Sequence, residues 1–138
     1  GGGLCGGSAA ALRRLKPEVT ILGVEPVGAA SMLSALNSGE PVTIESTDSI
    51  ADGLLPVRTG DHTFRHVQEF VDDVIVVNDQ DIKEAVAFLF VSQKLVVEYS
   101  GAVTVAALRG GHLDTRGRKT VAVISGGNID PAIIASLE

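Results

Sequence analysis

Short apolar, β-branched runs alternate with helix-forming runs along most of this chain of 138 residues. The predicted strands are 19–25, 74–77 and 120–124, with shorter candidates at 41–44 and 95–97. The predicted helices are 8–15, 28–37, one after Asp61, one from a cap at Asn78 or Asp79, 102–108, and a terminal helix opened by Asp130-Pro131. This alternation predicts a single α/β domain over residues 1–138, with an open, mainly parallel sheet flanked by helices.

Composition limits the classes of partner. Apolar residues make up 45% of the chain, enough to bury a core. The longest apolar run, 85–91, has seven residues, whereas a membrane-spanning helix needs about 20. A net charge of −6 with scattered cations provides no basic surface for nucleic acid. The single cysteine suits a reducing compartment. We therefore expect a cytoplasmic protein with neither a nucleic-acid nor a membrane partner.

Glycine is concentrated at the beginning of the chain, where 1–7 reads Gly-Gly-Gly-Leu-Cys-Gly-Gly. Consecutive glycines can turn successive N–H groups towards one anion, and a following helix adds its positive end. We therefore predict a loop in which Gly1, Gly2, Gly3 and Leu4 form a phosphate cradle; the alternatives are a flexible terminus or a tight turn. Because such loops are normally preceded by a strand, the domain is expected to be incomplete at its N-terminus.

A second hypothesis uses the same glycines. Gly1, Gly3 and Gly6 satisfy the pattern G-x-G-x-x-G, and Glu25 ends the next predicted strand about 20 residues further on. An acid at that position binds the ribose in dinucleotide-binding folds. A nicotinamide-binding oxidoreductase domain is therefore an alternative.

The second candidate site is Ser125-Gly126-Gly127-Asn128, directly after the last predicted strand. Ligands of open α/β sheets bind beyond the carboxyl ends of the strands. Ser125 can offer a neutral hydroxyl group to a ligand ring there. The alternative is a strand-to-helix turn in which Ser125 satisfies backbone groups.

Six motifs follow one another in an order that points to a family. They are the segments 1–7, Gly23-Val24-Glu25-Pro26, Ile50-Ala51-Asp52-Gly53, Val71-Asp72-Asp73-Val74, Lys94-Leu95-Val96-Val97-Glu98 and Ser125-Gly126-Gly127-Asn128. Together they resemble the C-terminal part of a pyridoxal-phosphate enzyme of the threonine dehydratase and serine racemase type (fold type II). The resemblance implies that Gly1, Gly2, Gly3 and Leu4 bind the cofactor phosphate and that Ser125 bonds the pyridine nitrogen. It also implies an amino acid substrate and a homodimer.

The resemblance implies a threonine or serine ammonia-lyase, with racemase activity as an alternative. In that family the lysine that forms the Schiff base lies upstream of the glycine loop, as does the small domain. None of the four lysines, at positions 16, 83, 94 and 119, has the family context. We therefore predict no catalytic residue in this chain and no activity by the chain alone. A non-catalytic, self-associating fragment is a third hypothesis.

Two groups of residues are candidates for a metal site, but each lacks ligands. The resemblance implies a cation site at Glu25, Ala29 and Ser31, but Ser31 replaces an acid, so we expect weak or absent cation binding. His62 and His66 are four residues apart on a predicted helix, with Glu69 on the next turn. Because the sequence shows no further metal ligand there, we expect this face of the helix to be solvated.

Cys5 lies near the predicted start of the first helix, where a thiol's pKa can be lowered. We expect it instead to be a small packed residue.

Overall fold

Two parallel strands form the centre of the fold in a computed structural model that describes residues 1–136. Strand β1 (Leu22–Pro26) pairs with β2 (Asp73–Val77), so that Leu22 lies opposite Asp73 and Pro26 opposite Val77. The helices are α1 (Gly3–Leu15), α2 (Ser31–Ser38), α3 (Asp61–Phe70), α4 (Asp79–Gln93), α5 (Tyr99–Arg109) and α6 (Pro131–Ala135). Short 3₁₀ turns cover Val27–Ala29 and Asp52–Leu54.

The two faces of this sheet pack against different helices, because side chains alternate along a strand. On one face, Val24, Ile75 and Val77 pack against the apolar sides of α4 and α5. On the other face, Val74 packs with Phe64 and Val67 of α3 and with side chains from α1 and α2. The result is an open parallel sheet flanked by helices, as the alternating sequence predicts.

Helix ends follow the capping residues in the sequence. The Asn78 side chain accepts a bond from the Asp81 N–H at 2.9 Å and caps α4. The Asp130 side chain accepts from the Ala132 N–H at 2.8 Å and caps α6, with Pro131 as the first helical residue. Gly39 has a φ of 77° and ends α2. These predicted boundaries are confirmed.

The predicted loop at the beginning of the chain is wrong, because α1 begins at Gly3 rather than at Ser8. Glycine disfavours helix interiors by about 1 kcal/mol relative to alanine. Packing against α3 compensates: Gly6 is buried, and a Cβ on it would lie 3.0 Å from the His66 Cβ. Small residues thus let α1 approach α3 closely.

Arg13 connects the other end of α1 to the sheet. Its Nη2 donates to the Phe70 carbonyl at 3.0 Å and to Asp72 Oδ2 at 2.8 Å. The same Asp72 oxygen accepts the Ile21 N–H at 2.7 Å. That N–H bond, followed by the bond from Arg13, lowers the pKa of Asp72 below its usual range. These contacts fix α1 relative to the start of both strands.

Several boundaries differ from the predicted ones. Strand β1 begins at Leu22 instead of residue 19, and α5 begins at Tyr99 instead of residue 102. Helix α2 begins at Ser31 because the chain first makes the 3₁₀ turn Val27–Ala29. The candidate strand at 41–44 is reduced to an isolated antiparallel bridge between Thr43 and Arg58.

The predicted buried strand at 120–124 is also wrong, since this segment belongs to no strand and four of its five residues are exposed. Val121 is 87% exposed, and the Val123 carbonyl accepts a bond from the Thr104 hydroxyl at 3.0 Å instead of a ladder bond. The candidate at 95–97 likewise forms no strand. Apolar, β-branched sequence favours the extended conformation, but a strand requires a neighbouring backbone, and the sheet of residues 1–136 consists of β1 and β2.

None of the helices within residues 1–136 combines the length and the apolar character that crossing a bilayer requires.

Candidate cofactor site

The N-terminus of α1 is open and has no capping side chain. Gly2 is the N-cap, with a φ of 83°. The first backbone bond of the helix runs from the Gly6 N–H to the Gly2 carbonyl at 2.9 Å. The N–H groups of Gly3, Leu4 and Cys5 therefore have no acceptor within the helix, and they lie at its positive end.

Space is available at this end of α1. Gly1 and Gly3 are both exposed, and a Cβ on either would meet no atom within 4 Å. Leu4 is also exposed, with its side chain on the solvent side. An anion can therefore reach the free N–H groups without displacing a side chain.

The first turn of α1 is positioned by α2 and α3. A Cβ on Gly2 would collide with the end of the Met32 side chain, which would have to move, and the φ of 83° at Gly2 also favours glycine. The Thr63 hydroxyl lies within 2.9 Å of the carbonyl oxygens of Gly1 and Gly60, and it donates its proton to one of them. The geometry of the predicted phosphate cradle is thus set by tertiary contacts.

Ser125 begins an exposed turn that lies against the N-terminus of α5. The Glu98 N–H donates to the Gly126 carbonyl at 3.1 Å. The Asn128 N–H donates to Glu98 Oε2 at 2.9 Å. A Cβ on Gly127 would lie 2.7 Å from the Val96 carbonyl oxygen. The glycines of this motif therefore permit close approach of two backbone segments, as expected for a site at which a ligand or a chain comes near.

Two buried residues at the start of α5 connect this turn to the 3₁₀ turn Asp52–Leu54. The Gly53 N–H donates to the Ser100 hydroxyl at 2.8 Å, and that hydroxyl donates to Asp52 Oδ1 at 3.2 Å. A Cβ on Gly101 would lie 2.7 Å from the Gly126 carbonyl oxygen. The Ile50–Gly53 motif and the Ser125 motif are thus both attached to one end of one helix.

Glu25 caps α2. Its Oε1 accepts the Met32 N–H at 2.9 Å and its Oε2 accepts the Leu33 N–H at 3.0 Å. Burial raises the pKa of Glu25 above its usual value, and these two N–H bonds oppose the rise. Both oxygens are therefore already engaged in holding the helix, which leaves them less suited to a cation or to a ribose hydroxyl.

The cation site at Glu25, Ala29 and Ser31 stays a prediction. Ser31 is buried in the first turn of α2, and Glu25 is the only carboxylate of the three. Within residues 1–136 there is no group of three or more His, Cys, Asp or Glu side chains that could hold a metal. His62 and His66 lie on the exposed side of α3, where the His66 Nδ1–H donates to the His62 carbonyl at 2.8 Å.

Cys5 is half-buried and packs with the cluster around Phe64 and Val74. Burial, followed by the nearby charge of Glu25, raises the pKa of this thiol. The surroundings thus match the expected small packed residue and not an activated thiol.

Glu98 has no role that the sequence predicts, yet it contacts the Ser125 motif through both its backbone and its side chain. The one local feature that could have drawn attention to Glu98 is its place directly before a helix, where a short capping side chain is usual.

Known proteins of the family that the motif order indicates are similar to this chain over most of its length. The model of the family described as pyridoxal-phosphate dependent enzyme matches residues 1–126. The chain is 40% identical over 134 residues to an L-threonine ammonia-lyase of Thermotoga maritima, covering 97% of this chain and 33% of that protein. It is 37% identical over 139 residues to a catabolic L-threonine dehydratase of Escherichia coli K12, covering 99% of this chain and 42% of that protein.

Solved structures show the same likeness. Maize serine racemase superposes with a TM-score of 0.89 at 36% identity, over 98% of this chain and 42% of that one. The serine racemase of Dictyostelium discoideum superposes with a TM-score of 0.84 at 35% identity, over 94% of this chain and 42% of that one. The chain thus spans less than half the length of these relatives. The expected fold and the resemblance drawn from the motifs are confirmed.

Proposed function

The chain belongs to the family of pyridoxal-phosphate dependent enzymes, and we propose that it forms the later part of the cofactor site of a threonine or serine ammonia-lyase. The observation that carries the proposal is the combination of an open helix N-terminus at Gly1 to Leu4 with a firmly held turn that presents Ser125. Serine racemases are among the structural neighbours, so racemase activity is the second candidate.

The N-terminus of α1 suits the phosphate of pyridoxal 5′-phosphate. The free N–H groups of Gly3, Leu4 and Cys5 can donate to phosphate oxygens, and the helix end adds favourable charge. Gly1 and Gly3 leave the approach open. Gly2, with its positive φ, allows the chain to turn into the helix at this point.

Ser125 suits the pyridine nitrogen of the same cofactor. Its hydroxyl is neutral and, unlike a carboxylate, does not hold that nitrogen protonated. The bound cofactor would supply an electron sink, here a mild one. A mild sink suits prompt loss of a β-hydroxyl group from serine or threonine, which is the reaction of an ammonia-lyase.

The amine that would hold the cofactor covalently is proposed to lie outside this chain. All four lysines, at 16, 83, 94 and 119, are exposed, and Lys94 Nζ donates to the Val91 carbonyl at 2.7 Å. None stands in the sequence context that the family uses. We therefore expect no release of 2-oxo acid from serine or threonine by these 138 residues alone.

The proposed function also implies a substrate, a partner and a location. We propose an amino acid as substrate, a second copy of the chain as partner in a homodimer, and the cytoplasm as location. The nicotinamide hypothesis requires Glu25 to accept a ribose hydroxyl, whereas both of its oxygens already accept N–H groups of α2.

Binding of pyridoxine phosphate tests the proposal. This probe keeps the ring and phosphate but lacks the aldehyde, so it cannot react with exposed lysines. We expect calorimetry to show binding of pyridoxine phosphate that is at least about tenfold tighter than that of pyridoxine, since several charge-assisted N–H bonds depend on the phosphate.

Gly3→Glu is the informative variant. Its side chain would enter open space and bring a negative charge to the free N–H groups, so we expect the preference for the phosphate form to be lost. Gly7→Glu is the matched control, because Gly7 lies in the same helix and also faces open space. Equal affinity for both probes in the unmodified chain, or tighter binding of a nicotinamide dinucleotide, would overturn the proposal.

A further inference from the structure

Glu98 occupies the N-cap position of α5 but does not cap that helix, since its side chain makes no bond to the helix's own N–H groups. The carboxylate instead reaches Asn128, thirty residues further along the chain, and accepts its N–H at 2.9 Å. The backbone N–H of the same residue donates to the Gly126 carbonyl at 3.1 Å. One residue therefore bonds to the turn on both sides of Gly127.

The base of this contact is rigid. Val97, directly before Glu98, is buried in the core between the sheet and α4 and α5. Ser100 and Gly101, directly after it, are buried as well. Because the neighbours of Glu98 are held in the core, its two bonds fix the turn 125–128 relative to the core.

The turn itself has little freedom to shift towards α5. A Cβ on Gly126 would collide with the Glu98 carboxylate, and a Cβ on Gly101 would lie 2.9 Å from the Gly126 nitrogen. Ser125 directly precedes Gly126 and is exposed. The backbone beside Ser125 is thus fixed while its hydroxyl stays available.

We propose that Glu98 is a positioning residue, which holds the turn 125–128 so that the Ser125 hydroxyl meets the ring nitrogen of the cofactor. The inference rests on the proposed cofactor site. Glu98 acts through Ser125, because its two bonds to this segment, at the Gly126 carbonyl and at the Asn128 N–H, hold the residues that directly follow Ser125. What matters for the position of the turn is an oxygen that accepts the Asn128 N–H at this distance.

Affinity for pyridoxine phosphate measures this role. Glu98→Ala removes the acceptor, and we expect binding to weaken about three- to tenfold. Glu98→Asp shortens the side chain by one methylene and should behave in the same way. Glu98→Gln keeps an oxygen that can accept the Asn128 N–H, so it should bind within about twofold of the unmodified chain.

A double-mutant cycle with Ser125→Ala separates positioning from general stabilisation. If Glu98 acts through Ser125, then Glu98→Ala adds little further loss of affinity once Ser125 has been replaced. Full additivity of the two losses, or unchanged affinity in Glu98→Ala, would overturn the inference.

Hydrogen exchange at the Asn128 amide provides a readout that needs no cofactor. We expect this amide to be protected in the unmodified chain and in Glu98→Gln, and to exchange faster in Glu98→Ala and Glu98→Asp. If the unmodified chain fails to bind pyridoxine phosphate, the proposed function is refuted. If exchange at the Asn128 amide is unchanged in Glu98→Ala, the proposed positioning of the turn by Glu98 is refuted.

Discussion

At the scale of the residue, four glycines at the start of the chain have different surroundings. Gly2 has a φ of 83° and faces Met32, and Gly6 lies against His66. Gly3 and Gly7 face open space within the helix. The same residue type therefore serves a backbone turn, a close helix contact and an accessible helix end.

Substitution of Gly2 tests this difference. We expect Gly2→Ala to destabilise the fold by about 1–2 kcal/mol, because an L-residue is strained at that φ and its Cβ would displace Met32. Gly7→Ala should instead stabilise by up to about 1 kcal/mol, since it lies inside α1 with no atom nearby. Urea unfolding measures both, and equal effects at the two positions would contradict the geometry.

At the scale of the element, the junction between β1 and α2 depends on Glu25. This residue lies in β1, and its carboxylate caps the helix that follows the 3₁₀ turn. A buried carboxylate is a costly cap, because its ionised form loses hydration. The raised pKa of Glu25 reflects that cost.

The raised pKa of Glu25 should therefore make the free energy of unfolding depend on pH. Since burial raises its pKa above the usual 4.5, the folded chain binds this proton more tightly than the unfolded chain. The stabilisation is present below pH 4.5 and is lost as the pH rises through the raised value. We expect the unfolding free energy of the unmodified chain, relative to that of Glu25→Gln, to fall across this window.

Urea unfolding at a series of pH values from the acidic range to neutrality provides the measurement. Asp72 does not interfere, because its pKa is lowered from 3.8 and its stabilisation is lost only as the pH falls below that value. A difference between the two proteins that is independent of pH would rule out Glu25 as the titrating group.

At the scale of the whole molecule, the segments 95–96 and 120–124 leave an apolar surface in contact with solvent. Val96, Val121 and Val123 are all more than half exposed. Exposed apolar surface of this kind favours association. Neither segment contributes a strand to the sheet of residues 1–136.

We expect the chain to self-associate at micromolar concentration through this surface, and Val121→Lys to weaken the association. Val121 is 87% exposed, so its replacement should change the unfolding free energy by no more than about 0.5 kcal/mol. Leu15→Lys is the control, because Leu15 is 76% exposed at the end of α1. Light scattering after size-exclusion chromatography measures the mass. A monodisperse monomer of the unmodified chain would contradict this expectation.

The sequence by itself determined those features that depend on near neighbours. The caps at Asn78 and Asp130 each bond within three residues, so the starts of α4 and α6 could be predicted from residue types alone. Gly39 ends α2 for a similarly local reason. The glycine segment and the Ser125 motif, taken in order with the motifs between them, were enough to indicate the family.

The tertiary structure alone decided the features that depend on distant partners. Helix α1 begins at Gly3 because Gly6 can pack closely on α3. The segment 120–124 forms no strand because pairing requires a neighbouring backbone, which local composition does not supply. Glu98 became part of the candidate site only because the fold brings Asn128 to its carboxylate from thirty residues away. Propensity and capping act over a few residues, whereas pairing, close packing and long-range hydrogen bonds are decided by the fold.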